Sequence, residues 1–211
     1  MGLMKIKKIL AANRSEIAIR IFRGAEESGI QTVAIYSKED RFALHRFKTD
    51  ESYLIGNNKG PIQAYLDIPS IINIAKKANV DAIHPGYGFL SESPEFAEAC
   101  EKNNIIFIGP TANILKKLGN KTEAIKVAKE AGVATIPSSI IIDKNYDNLK
   151  MQAQEIGYPI IIKASWGGGG RGMRIVKKES ELADQISVAK SEAKKTFGKD
   201  EIFIEKYLEN A

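Results

Sequence analysis

Apolar and polar positions in the first half of the chain alternate between two rhythms. Short runs rich in aliphatic and β-branched residues predict strands: KKILAAN (7–13), QTVAIYS (31–37), ESYLIG (51–56), DAIH (81–84) and IIFIG (105–109). Between them the spacing becomes helical. From Ser15 to Ser28 it puts Ile17, Ala18, Ile21, Phe22 and Ala25 on one face, and Gly29 ends the helix. A second helix is predicted over Ser70 to Ala78, and a third opens with Ser93 as N-cap and Pro94 in the first turn. Near-continuous apolar runs such as IIFIG belong to strands covered on both faces, so the pattern predicts an α/β fold with a parallel, doubly wound sheet.

From Thr111 the rhythm changes. Two helical stretches, 111–118 and 121–131, meet at Gly119 and Asn120, and Gly132 closes the second. Beyond them come SSIII (138–142), a helix near 147–156, YPIIIKA (158–164), a run of glycines, MRIV (173–176), a helix from about Ser180 to Phe197, and IFIEKYL (202–208). This second unit is α+β. The expected division is a Rossmann-like domain over 1–118, a helical connector over 119–136 and a smaller α+β unit over 137–211.

Composition narrows the function classes. An apolar fraction of 44% in 211 residues can bury an ordinary core. No apolar run approaches the roughly 18–20 residues of a membrane span, and MGLMKIKKILAAN lacks the apolar segment of a secretory signal, so the reading is cytoplasmic with no membrane partner. The single cysteine, Cys100, lies on the apolar side of a predicted helix and reads as a buried small side chain. The net charge of +5 comes from 31 basic residues interspersed with 26 acidic ones. That arrangement argues against a nucleic-acid stripe and leaves room for lysines serving a small phosphate ligand.

The densest motif is SWGGGGRGMR (165–174). Gly167, Gly169 and Gly172 satisfy GxGxxG by letter, but a dinucleotide site needs a helix to follow, and here a strand follows. A Walker loop fails too, since Met173 and Arg174 stand where Lys and Ser or Thr belong. What remains is strand, glycine loop, strand: a hairpin tip whose backbone N–H groups can approach phosphates because no Cβ intervenes. Lys163, an amine at the end of an apolar strand beside that tip, suits a phosphate. Trp166 is either an aromatic cover or a packing residue. HPGYGFLSE (84–92) falls where the fourth strand ends, a position where open parallel sheets bind ligands, and it reads equally as a rigid loop or a binding loop. His84 reads as a hydrogen-bonded core histidine, and no metal ligands accompany it.

YPIIIKASWGGGGRG resembles the first ATP-binding signature of the ATP-grasp ligases, and AANRSEIAIRIFR, HPGYGFLSE, GNK and IEKYLEN resemble biotin carboxylase across essentially the whole chain. YSKEDRFALHRFKTDESYLIG and PIQAYLDI look most like the pyruvate carboxylase branch, with the biotin carboxylase subunit of acetyl-CoA carboxylase as the alternative. The resemblance implies a parallel-sheet pre-ATP-grasp domain followed by the lid subdomain of an incomplete ATP-grasp domain. It also implies ATP-driven carboxylation of biotin on a carrier domain by bicarbonate. Carried over by motif, Lys121 and Lys163 would hold ATP phosphates, Gly169 and Gly170 would belong to the closing lid, and Met173 would pack on the base. Glu205 and the backbone of Lys206 and Leu208 would read the adenine edge, with Tyr207 between them, and Tyr87 would lie near biotin. The family's magnesium-binding glutamates, bicarbonate-binding arginine and general-base glutamate have no counterpart before Ala211. The resemblance therefore implies an N-terminal portion that is inactive alone, without a catalytic or metal residue of its own, from a homo-oligomeric parent using magnesium and biotin. Carbamoyl-phosphate synthesis and a non-catalytic nucleotide-binding module are the competing readings. An NAD site in the first domain is disfavoured because Asn13, Arg14 and Ser15 occupy the turn that would need glycines.

Overall fold

The computed structural model describes residues 6–139, 146–165 and 173–209. Backbone packing divides the chain into two units, Met1–Lys116 and Lys117–Ala211. The first holds a five-stranded sheet of β1 (Lys8–Ala11), β2 (Gln31–Tyr36), β3 (Glu51–Leu54), β4 (Ala82–His84) and β5 (Ile106–Phe107). All pairs are parallel, in the order β3-β2-β1-β4-β5. The doubly wound expectation holds, and the strand alternation explains it. Leu10, Val33, Ile35 and Ile83 point into one apolar cluster, while Ile9, Ala11, Ala34 and Ala82 point into another on the opposite face.

Helix α1 (Ser15–Glu27) covers the second face with Ala18, Ile21, Phe22 and Ala25, the stripe its spacing predicts. The first face receives α2 (Pro61–Tyr65), α3 (Ile68–Lys77) and α4 (Pro94–Lys102). Ser93 caps α4 as expected, accepting from the Phe96 N–H at 3.1 Å, and Gly29 ends the α1 segment at a φ of +69°. Cys100 is buried in the same cluster, and burial pushes its thiol up to about 12. Helix α5 (Ala112–Gly119) follows β5.

Some local structure differs from expectation. Two 3₁₀ turns, Glu39–Phe42 and Leu44–Phe47, and the five-residue α2 are too short to show helical periodicity. Helix α3 starts two residues early because Pro69 is tolerated in a first turn.

The second unit contains α6 (Lys121–Glu130), α7 (Tyr146–Ile156), β6 (Ile160–Ala164), β7 (Arg174–Val176), α8 (Leu182–Phe197) and β8 (Ile202–Lys206). Its three strands are antiparallel in the order β7-β6-β8. Strands β6 and β7 thus flank the glycine run as the two arms of a hairpin. One face, carrying Ile160, Ile162, Val176, Ile202 and Ile204, packs on Leu149 and Ala153 of α7 and on Leu182, Ile186 and Ala189 of α8. The other face carries Ile161, Lys163, Ile175, Phe203 and Glu205.

The strand expected over 138–142 is reduced, in its described part, to an isolated bridge between Ser138 and Glu205. Ser139 donates its N–H to the Ile204 carbonyl at 2.9 Å, but the Ile204 N–H goes to the Ser139 hydroxyl at 3.0 Å, and this side-chain capture replaces a regular ladder bond. Residues 140–142 lie outside the described residues. Among the described residues, no helix is long and apolar enough to cross a membrane.

Candidate functional site

In the first unit the strand order reverses between β1 and β4, so the crevice of this sheet opens at their carboxyl ends. Asn13 and the HPGYG loop meet there. The Asn13 amide donates to the carbonyls of Pro85 at 2.8 Å and Tyr87 at 2.9 Å, while its oxygen accepts from the Arg14 N–H at 2.9 Å. Gly86, at a φ of +68°, lies so close that a Cβ would sit 2.7 Å from the Asn13 amide nitrogen. The two glycines flanking Tyr87 therefore serve a tight, side-chain-tied turn. His84 is half-buried, its Nδ1 accepts from the Gly86 N–H at 3.0 Å, and burial lowers its pKa. It is the hydrogen-bonded histidine of the sequence reading. Tyr87 is exposed over a cleft of about 350 Å³ lined by Asn13, Arg14, Ser15, Glu16 and Phe89. Its hydroxyl donates to Glu16, and that bond raises its pKa.

Ser15 holds a φ of +52°, the conformation a glycine takes without strain, in the turn where glycines were missed. Ser15→Gly is expected to raise the stability of this unit by about 1 kcal/mol. Urea unfolding followed at the amide signals of β1 and β2 would measure the gain.

Behind that turn a buried polar network closes the sheet end. Arg14 grips Asp40 with two nitrogens, Nε donating at 2.7 Å, and the Tyr65 hydroxyl donates to the same carboxylate at 2.8 Å. Burial alone would raise the Asp40 pKa, but the hydrogen bonds from Arg14 and Tyr65 outweigh it and hold the carboxyl below its ordinary range. Burial and the Asp40 bond together push the Tyr65 phenol upward. His45 is fully buried, with Nε2 on the Ile35 carbonyl at 3.1 Å and Nδ1 without a partner, and burial lowers its pKa. None of these contacts was legible in the sequence, since Asp40 and Tyr65 are remote from Arg14 along the chain.

In the second unit Lys163, Glu205 and Met173 lie on the sheet face opposite α7 and α8. The Lys163 ammonium donates to the Glu205 carboxylate, with side-chain exposures of 28% and 11%, so the two groups share one position. Met173, on the approach to β7, is about half exposed, as is Ile175. The Lys121 N–H approaches the Ser165 carbonyl at 3.5 Å, which puts the start of α6 at the end of β6 where the glycine run begins. Asn120 caps α6, accepting from the N–H groups of Thr122 and Glu123 at 2.9 and 3.2 Å. Gly169 and Gly170 lie outside the described residues, as does Trp166.

Lys206 departs from its neighbours. Its side chain leaves the opposite face of β8, and its own N–H is taken by the Pro137 carbonyl at 2.8 Å. Tyr207 gives its N–H to the Pro159 carbonyl at 3.1 Å, and Leu208 is half exposed at the exit of the strand. The Lys163–Glu205 pair went unpredicted, although both residues were named. Their contact depends on the β6–β8 register, in which Ile161 faces Glu205 and Lys163 faces Phe203.

Comparison with known proteins accounts for both units. Residues 5–115 match the family described as biotin carboxylase, N-terminal domain, and residues 120–211 match the one described as carbamoyl-phosphate synthase L chain, ATP binding domain. The chain belongs to the biotin carboxylase family. It is 55% identical over 210 residues to the pyruvate carboxylase of Bacillus subtilis, covering 100% of this chain and 18% of that protein. Biotin carboxylase 1 of the same organism is 47% identical over 205 residues, covering 97% of this chain and 45% of that protein. The fold superposes on the biotin carboxylase domain of 2-oxoglutarate carboxylase from Hydrogenobacter thermophilus with a TM-score of 0.91 at 46% identity, covering 99% of this chain and 46% of that one. That structure holds MgADP, ADP and bicarbonate.

Proposed function

We propose that this chain supplies the nucleotide-binding half of an ATP-dependent biotin carboxylase of the pyruvate carboxylase type. In that reaction a bicarbonate oxygen attacks the γ-phosphorus of ATP, and the bond to the β-phosphate oxygen breaks with its electron pair leaving on ADP. The resulting carboxyphosphate splits into CO2 and inorganic phosphate, and the N1 of biotin on a carrier domain gives up its proton to that phosphate as it bonds the CO2 carbon. Such a transfer asks the protein mainly for positioning and charge compensation, which lysines beside a glycine run supply. Lys121 and Lys163 receive the phosphates, Gly169 and Gly170 close over them, and Met173 packs on the base. Glu205 and the backbone of Lys206 to Leu208, Tyr207 between them, read the adenine edge. Tyr87, over its own cleft, faces biotin. The higher identity to a pyruvate carboxylase than to a biotin carboxylase subunit supports pyruvate over acetyl-CoA as the parent's acceptor.

Magnesium accompanies ATP as its counter-ion. Among the described residues no group of three or more His, Cys, Asp or Glu side chains converges to hold a metal, so no ligand for it is assigned in this chain.

The observation that carries the reading is that Lys163, Glu205 and Met173 share the sheet face opposite α7 and α8, beside the glycine run. ATP titrated into the 211-residue chain is expected to move the methyl signals of Ile161, Met173 and Ile175 saturably. Ile160 and Ile162, on the covered face, should stay near their positions. Equal shifts on both faces, or none, would remove the site.

A further inference from the structure

The one charged side chain described on the covered face of β8 has a task that sequence did not suggest. The Lys206 ammonium donates to the carbonyls of Gly157 at 2.9 Å and Tyr158 at 3.0 Å. These carbonyls follow the last residue of α7, where Gly157 turns at a φ of +78° and returns its N–H to the Ala153 carbonyl at 3.0 Å. A cation there pairs with two carbonyls just past the helix and faces the negative end of its dipole.

The same residue is held through its backbone N–H to Pro137, and the next through its N–H to Pro159. The strand exit is thus fixed at three points, and only one of them is a side chain. We infer that Lys206 is a positioning residue, whose ammonium sets the backbone at 206–208 to the geometry that reads a purine edge. This rests on the ATP reading above and deepens it. Backbone recognition of a base tolerates displacements of only about 0.5 Å, and releasing the ammonium would leave the exit of β8 to two backbone bonds.

The test compares ATP with inorganic tripolyphosphate, which has the phosphates and no base, on the full chain. Lys206→Met is expected to weaken ATP about tenfold, the worth of roughly one good hydrogen bond, while tripolyphosphate changes by less than about twofold. Lys206→Arg, which can still donate to both carbonyls, should recover most of the loss. Equal weakening of both ligands would mean lost charge or lost fold, and an unchanged ATP affinity would mean that the anchor is irrelevant; either overturns the inference.

Amide exchange at Lys206 and Tyr207 separates this inference from the reading beneath it. If the unsubstituted chain binds neither probe, the ATP reading fails. The anchoring is then judged by whether Lys206→Met accelerates those two amides and spares Ile162, and absence of that acceleration sinks it.

Discussion

Asp40→Asn is expected to cost the first unit about 3 kcal/mol of stability, a large share of what a domain of this size holds in reserve. The carboxylate is buried and receives charge-assisted bonds from Arg14 and from Tyr65, whose ring is itself fully buried. Each such bond contributes about 1.5–3 kcal/mol, and an asparagine would turn N–H groups toward the Arg14 guanidinium. The loss falls short of the worst case for a broken buried pair because the Arg14 side chain is 43% exposed and can turn to water. The control is Glu98→Gln. Its partner Lys102 is 75% exposed at 3.7 Å, so the change should stay below about 0.5 kcal/mol. Urea midpoints read at β1 and β2 amides would separate the two effects.

The same network fixes the sign of the pH response. His45 and His84 both have pKa values lowered by burial from an ordinary 6.5, so between those values and 6.5 the unfolded chain binds more protons than the fold does. Their contribution is complete above pH 6.5 and declines as pH falls below it. Asp40, also lowered, contributes above its ordinary 3.8 and loses that contribution as pH falls through its lower folded value. Stability should therefore fall in two stages on acidification, and Asp40→Asn should flatten the second. A stability that rises between pH 6.5 and 5 would contradict the burial of His45.

Features written in local sequence were legible, and features made by distant segments were not. Periodicity gave the α1 stripe, and the strands read on either side of the glycine run do pair antiparallel. Asn13 and HPGYG were each singled out, yet only the β1–β4 pairing brings the Asn13 amide within reach of Pro85 and Tyr87. Ser15 was noticed because it is not glycine, and the structure answers with a positive φ that the side chain tolerates at a cost. The Arg14–Asp40–Tyr65 cluster depends on a 3₁₀ turn and a five-residue helix, elements too short to leave a period. Lys163 stood out as an amine in an apolar strand, but its carboxylate partner belongs to a strand some forty residues on, and strand register is not visible in either segment alone.

Lys163→Met is the substitution that bears most directly on function, and it should weaken ATP binding about 100-fold, the scale of one lost charge-assisted contact to phosphate. It also leaves the Glu205 carboxylate, 11% exposed, without its cation, so the second unit should lose stability as well. A weaker ligand alone would therefore not distinguish a phosphate contact from a damaged sheet. The double substitution Lys163→Met, Glu205→Met separates them. Replacing both charges by apolar side chains of similar reach removes the stranded carboxylate and should return the unfolding midpoint to near its original value. ATP affinity should stay low, because neither the phosphate cation nor the base acceptor is restored, and tripolyphosphate should weaken in the single and double variants alike. If ATP binding recovered together with stability, Lys163 would be only the counter-charge of Glu205, and the phosphates would have to be held by Lys121 and the glycine backbone.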